Sequence, residues 1–508
     1  MSPAVGAGLA GVPSLDWVAL GPVTVVVVGA LVVLLVDALR PRRLARLHDV
    51  VALVSLGLAA AAVVGLATGR GQRLTACVPG QGLELPGCSF AVSDLTIGLQ
   101  AIVIVGATGC LLLAMDGPGA RDRTTHHLLL LTATAGALAV AGARDLATLA
   151  VAFETSSLPA VGLVALRRDT QGAQAAVTLL LTAIGSLGLL LLGSALVYAA
   201  TGTLYLDRVA TVLATPQLDP SVAAVAALGA LLAVAGIAFK VSLVPFHLWT
   251  PDTYAGAPLP VAAFLAVVSK TAGVAAMLVL LGIGLPSLAS VWAPVVGVLA
   301  LVTMTVGNLV ALRQRVAVRL LAWSTVAQAG WVLVPLAAVR SGRPSSLHPA
   351  IAASVGYLIA YVVASLAAFA VVVLLARHHP AGEEHTLEAY RGLARREPVA
   401  AGILGFALAC LAGLPPGVMG LVAKVVAVRP LVDAGTWVFA VVAALNVALG
   451  LAYYVRWAGL VVMRPVTEPP TWRVSAAEGL ALGGAGAACL VLSVAGQVIA
   501  GAVPGVLR

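Results

Sequence analysis

The sequence predicts an all-α integral membrane protein of about 14 transmembrane helices, and three observations lead there. Hydrophobic residues make up 61% of the 508 and charged residues only 10%, with a mean hydropathy of +1.07. That leaves too little polar surface to cover a soluble globule. Apolar stretches close to the ~20 residues needed to cross a bilayer recur along the whole chain. The alternating pattern of a transmembrane barrel is missing, which leaves helices as the way to satisfy the backbone in lipid.

In chain order, the spans fall at 17–38 and 50–67, separated by the basic loop "RPRRLARLHD", and at 95–115, beyond the long loop "RGQRLTACVPGQGLELPGCSF". Residues 126–142 and 144–166 form the next two, and 171–200 follows Arg167 and Arg168. The seventh and eighth, 221–248 and 261–283, flank the polar stretch "HLWTPDTYAGAP". Arg313 and Arg315 divide 289–312 from 318–338, and 348–377 runs to the loop that holds Arg391, Arg395 and Arg396. The remaining spans are 400–426, 434–463 and 476–500.

Charge placement sets the expected orientation. With the first basic loop in the cytoplasm, that side collects 17 Lys or Arg against 8 on the other, which puts both termini outside. The formal net charge of +9 does not point to nucleic acid, because no basic stretch is interleaved with stacking aromatics. No Lys or Arg precedes the first span and no clear small-residue cleavage site follows it, so a removable signal peptide is not expected. Cys77 and Cys88 share the long external loop, where a disulfide is permitted; a bridge is expected, against two unpaired thiols. No cysteine or histidine cluster has metal-ligand spacing.

The chemistry lies in the charges inside the spans. A charge at mid-membrane costs at least ~2.5–3.5 kcal/mol on insertion scales, so each implies a partner or a wet cavity. Glu154 in "LAVAFETSSLPAVGL", Lys240, Lys270 in "FLAVVSKTAGVAA" and Lys424 in "LPPGVMGLVAKVVAV" stand on the fifth, seventh, eighth and twelfth spans. Of 29 basic residues 26 are Arg, and the three Lys are all in apolar segments. Arg would reach an interface by snorkelling as well as Lys does. What Lys adds is an ammonium that burial can bring to release a proton, so the three read as titrating groups. Pro245 follows Lys240, and Pro415 and Pro416 precede Lys424. Such breaks either kink a helix for packing or line a transport site.

At this point the residues carry a resemblance. "FKVSLVPFHLWTPDTYAGAPLPVAAFLAVVSK" resembles the signature of the proton-translocating antiporter-like subunits of respiratory complex I. "LATLAVAFETSSLPAVGLVAL", "GNLVALRQRVAVRLLAWSTVAQAGWVL", "YRGLARREP", "LAGLPPGVMGLVAKVVAV" and "YYVRWAGLVVM" follow in family order, over about residues 90 to 465. The chain is most similar to the subunit N branch, because the sister branch M typically has Glu where this chain has Lys424.

The resemblance implies two inverted five-helix repeats, 126–283 and 289–463, with broken helices 7 and 12, a three-helix segment 1–115 before them and a C-terminal helix in 476–508. It also implies that Glu154 pairs with Lys240, that Lys270 relays a proton and that Lys424 is the exit residue. His247 matches the family histidine after the broken segment, serving proton movement, packing or hydration. In the implied mechanism, weakening the Glu154–Lys240 pair loosens the lysine's proton, which then moves through water and polar side chains toward Lys270 and Lys424. FMN, iron–sulfur clusters and quinone would belong to partner subunits, with none in this chain. The implied partners are other membrane-arm subunits, including sister antiporter-like ones, and the lipid bilayer of a bacterial plasma membrane. Two other classes stay open at the level of sequence: a subunit of a multi-subunit cation/proton antiporter, and a structural scaffold with buried ion pairs.

Overall fold

Residues 15–39, 45–69, 71–79, 86–115, 120–378, 386–464 and 474–497 are described by a computed structural model. The elements are α1 (Gly21–Leu39), α2 (Ala45–Thr68), β1 (Arg73–Val78), β2 (Gly87–Val92), α3 (Asp94–Ala114), α4 (Ala120–Gly142), α5 (Leu146–Ala165), α6 (Thr170–Thr201) and α7 (Leu206–Leu213). They continue with α8 (Pro220–Val241), α9 (Trp249–Gly256), α10 (Leu259–Phe264), α11 (Lys270–Val279), α12 (Ala289–Ala311), α13 (Ala317–Leu333) and α14 (Pro344–His378). The last are α15 (Leu393–Arg396), α16 (Pro398–Ala412), α17 (Val418–Asp433), α18 (Trp437–Val462) and α19 (Ala476–Val494). A π-helical turn, Leu265–Ser269, joins α10 to α11.

Among the described residues 13 helical segments are long and apolar enough to cross a membrane. The expected twelfth span is α16 with α17, of 15 and 16 residues, on the two sides of a break. The sequence places the seventh span over 221–248 with its break at Pro245, but α8 already stops at Val241, because Ser242 takes a left-handed backbone (φ 65°). The helix breaks before its proline. Besides the short helices α9 and α15, two elements lie outside the expected spans. One is the hairpin β1–β2; the other is α7, which buries Leu206, Val209 and Leu213 on one face.

Some helix starts, α5, α6 and α19 among them, follow from side-chain acceptors for otherwise orphaned amides. Asp145 accepts from Thr148 N at 2.7 Å, Asp169 from Gly172 N at 2.6 Å, and Ser475 and Glu478 cap α19 reciprocally. The amide of Gly172, with the Arg167 guanidinium, holds the Asp169 carboxyl below the usual carboxylate range. The cap therefore contributes at neutral pH and is lost as pH falls through that lowered value. Between α6 and α8, small residues allow a close crossing. A Cβ at Gly193 of α6 would lie 2.5 Å from Ala233 N, and one at Gly229 of α8 would lie 2.7 Å from Gly193 O.

Hydrogen bonds between loops sort the described connections onto two faces. On one, Arg73 pairs with Asp16 at 2.9 Å, Arg144 N donates to Ser89 O at 2.9 Å, and Leu146 N donates to Leu204 O at 3.0 Å. On the other, Arg167 donates to Ala255 O at 2.6 Å, Leu387 N to Arg315 O at 2.8 Å, and Arg377 pairs with Glu478 at 2.5 Å. Residues 40–44 of the first basic loop, residues 80–85 and both chain ends lie outside the described residues.

Cys77 and Cys88 face each other across β1–β2 and are bonded, as expected from their loop. Cys110, Cys410 and Cys489 are free and buried. Alkylation of denatured, unreduced protein is expected to leave the 70–94 peptide unmodified, and to modify both thiols after reduction. Two freely alkylated cysteines without reduction would refute the bridge.

Candidate functional site: a line of buried lysines

The two helix breaks use the same physical device. A helix end frees carbonyl groups and carries partial negative charge, so it is a natural seat for a cation. At the first break, Lys270 Nζ reaches from α11 and donates to Val241 O at 2.9 Å and to the Ser242 hydroxyl. At the second, α16 ends on Gly413 (φ 77°), and Lys424 Nζ donates to Leu411 O at 3.0 Å and to Ala412 O. Lys240, Lys270 and Lys424 are 7%, 2% and 7% exposed, and with partners in the interior none of them snorkels.

Lys240 is held differently from the sequence reading. Its Nζ donates to Ser157 Oγ at 2.7 Å, one helical turn beyond Glu154 on α5, and Glu154 Oε1 is buried without a hydrogen-bond partner. The carboxylate and the ammonium act on each other through space, with no direct bond between them. Ser157 is the contact that sequence missed. Ser157, Thr182, Ser186, Lys240 and Ser269 line a cavity of about 30 Å³. At roughly 10–15 Å³ per water centre, that is space for about two waters with polar partners.

Uncharged polar groups fill the interior between the two breaks. The Ser242 hydroxyl meets the Thr250 hydroxyl. Tyr361 OH of α14 donates to Ala266 O at 2.8 Å and lies 3.2 Å from Thr325 Oγ1 of α13. Beyond them Tyr357 OH donates to Gln328 Oε1 at 2.5 Å, and Gln328 Nε2 donates to Tyr454 OH at 3.1 Å and to Leu411 O at 3.3 Å. Leu411 O is the carbonyl that also receives Lys424. Ser242, Thr250, Thr325, Tyr361, Gln328 and Tyr357 carry no charge, so the sequence alone does not single them out. The available signal was polar residues four apart, Ser324 with Gln328 and Tyr357 with Tyr361, in otherwise apolar helices.

His247 lies in the unwound stretch between α8 and α9, buried, with its ring 5.3 Å from that of Trp323 and its Nδ1 without a partner. The structure does not bond it to any of the three lysines. Arg456, the remaining basic residue that the charge count leaves inside a span, is exposed on α18 and donates to Leu312 O and Gln314 O at the end of α12. Among the described residues no group of three or more His, Cys, Asp or Glu could hold a metal ion.

Known proteins resemble this chain over most of its length. Residues 143–450 match the family described as NADH:quinone oxidoreductase/Mrp antiporter, transmembrane. NADH-quinone oxidoreductase subunit N 2 of Streptomyces griseus is 42% identical over 92% of this chain and 88% of its own length. Subunit N of Salinispora tropica is 45% identical over 88% and 85%. Among solved structures, a chain of respiratory complex I from Thermus thermophilus with bound aureothin superposes with a TM-score of 0.76 at 30% identity, over 94% of this chain and 98% of that one. With identity of that level over nearly the whole length, the chain belongs to the NADH:quinone oxidoreductase/Mrp antiporter family, within its NADH-quinone oxidoreductase subunit N branch.

Proposed function

We propose that this chain is the proton-translocating subunit N of a bacterial NADH-quinone oxidoreductase, moving protons along Glu154, Lys240, Lys270 and Lys424. The observation that supports the reading most is the pair of helix breaks whose freed carbonyls each receive a lysine, Lys270 at Val241 and Lys424 at Leu411. A carbonyl accepts from an ammonium and stays in place when the proton leaves, so the seat survives a change of charge. A carboxylate partner would resist that change. Water in the Lys240 cavity and the hydroxyls of Ser242, Thr250, Thr325 and Tyr361 supply intermediate stations. His247 takes no step in this scheme and serves packing and hydration.

The chain itself carries no redox step; NADH oxidation on FMN, the iron–sulfur clusters and the quinone site belong to partner subunits. Residues 126–283 and 289–463 act as two inverted repeats. In the bacterial plasma membrane the β1–β2 face and both termini point outward. A membrane-impermeant thiol reagent applied to intact cells after reduction then labels Cys77 and Cys88; labelling only in inverted vesicles would reverse the orientation.

Purification of the native complex through a tag on this subunit tests the functional reading. Flavin- and iron–sulfur-containing proteins are expected to copurify with NADH–quinone activity. Recovery with small membrane proteins alone, as in a cation/proton antiporter, would overturn the proposal.

A further inference from the structure

Among the described residues no carboxylate pairs with Lys424; its bonds go to Leu411 O and Ala412 O. Beneath the ammonium lies a ring: Nζ stands 5.5 Å from the centre of Trp331, which is 2% exposed. Trp331 is stacked on Tyr357, with centroids 5.7 Å apart and planes 9° from parallel. Tyr357 OH donates to Gln328 Oε1, and Gln328 Nε2 donates to Leu411 O, the carbonyl above Lys424. Ring and carbonyl are therefore held by one frame. The same placement recurs at Lys240 over Phe153 (5.2 Å) and at Lys270 over Trp249 (5.1 Å).

We propose that Trp331 is a positioning residue of the relay, holding the protonated Lys424 in the place a carboxylate would otherwise take, with Tyr357 and Gln328 fixing its ring plane. A ring face within about 6 Å attracts a cation and does nothing for a neutral amine, with an effect of up to ~2 kcal/mol when desolvated. The partner is thus selective for one protonation state, and it brings no titrating charge of its own.

Other ionisable groups around Lys424 do not replace it. The titratable groups of the helices packed against α17 are Tyr357 and Tyr361 of α14 with His348 and His378 near its ends, Cys410 of α16, Tyr453 and Tyr454 of α18 and Cys489 of α19. Free tyrosine and cysteine are largely neutral at pH 7. The charged side chains of those helices, Arg319, Arg377, Arg456 and Glu478, stand toward helix ends. On α17 itself, Arg429 pairs with Asp433 at 3.7 Å.

The inference rests on the relay reading, and the test separates the two. Trp331→Leu, Trp331→Phe and Lys424→Arg are introduced into the whole complex. NADH-driven proton uptake per electron is then measured in vesicles from neutral to alkaline pH, with subunit content and electron transfer checked in each. Without the ring the ammonium keeps its carbonyl bonds but loses the ring's attraction for the charged form, so pumping should fail at a lower pH. The expected shift for Trp331→Leu is about one pH unit, equivalent to about 1.4 kcal/mol. Trp331→Phe keeps a weaker ring and should shift less, in the same direction. Profiles coincident with wild type in both variants overturn the proposal, as does an equal, pH-independent loss in both, which marks a packing role. If Trp331→Leu does not assemble, Trp331→Phe decides alone, and an unshifted profile overturns it. Wild-type pumping by Lys424→Arg would instead remove Lys424 from the relay, and the proposal with it.

Discussion

Lys240→Arg is expected to assemble into a complex that still transfers electrons from NADH to quinone but pumps fewer protons for each one. The guanidinium keeps the positive charge, keeps an apolar stem and can still donate to Ser157, which now receives Nζ at 2.7 Å. A structural cation would therefore largely survive the change, apart from the extra bulk against Phe153. A relay would not, because Arg stays protonated at any relevant pH. General acid–base groups contribute about 10²–10⁴-fold to proton-transfer steps, so flux through this subunit should fall at least about tenfold. The whole-complex ratio then falls by this subunit's share. Lys270→Arg should act in the same direction, although its tight seat between Val241 O and Ser242 leaves less room for the larger head. The measurement is proton uptake in membrane vesicles beside the NADH–quinone rate, after confirming subunit content. Wild-type ratios in all of the Lys→Arg variants would make the charges structural.

Much of this site is readable from the sequence because the membrane makes charges rare. In a chain whose loops use Arg, a Lys in an apolar span stands out, and all three such residues are buried with interior partners. The break before Lys424 is equally readable, since Pro415 and Pro416 remove consecutive backbone donors. The break after Lys240 is readable only in kind. Its position depends on Ser242 adopting a left-handed backbone and bonding both Lys270 and Thr250, contacts from beyond its own helix. Pro245 marks the unwound stretch but not where it begins.

What sequence could not supply is the set of cross-helix partners. Glu154 and Lys240 are readable as opposite charges, and a direct pair is the natural expectation. Ser157 takes the bond because it stands three residues from Glu154 on the same helix, nearer the ammonium. Trp331, Tyr357 and Gln328 read as ordinary interior residues until α13 and α14 are placed beside α17. Hydropathy patterns locate helices well, but they contain no term for which helix lies next to which.

The second break yields the largest structural effect. Gly420→Ala is expected to remove most of the subunit from the membrane, or to leave an assembled complex that does not pump through it. Gly420 lies in the first turn of α17, directly over the last turn of α16. A Cβ there would overlap Cys410 O and lie 3.0 Å from Cys410 Cα, and one at Gly417 would lie less deeply but still too close to Cys410 N. All of these are backbone atoms, so no rotamer change relieves the overlap. Overpacking a core commonly costs about 1–3 kcal/mol and more where nothing can move. The movement left open is to push α16 and α17 apart, which draws Leu411 O and Ala412 O away from Lys424 Nζ. Gly402→Ala and Gly405→Ala on α16 are the controls, because a Cβ at either position meets nothing within 4 Å. Those two should match wild type in subunit content, since Ala is a better helix former than Gly by about 1 kcal/mol. Immunoblotting of membranes with vesicle pumping distinguishes the cases. Normal content and normal pumping in Gly420→Ala would mean that the two half-helices do not cross as closely as the Lys424 seat requires.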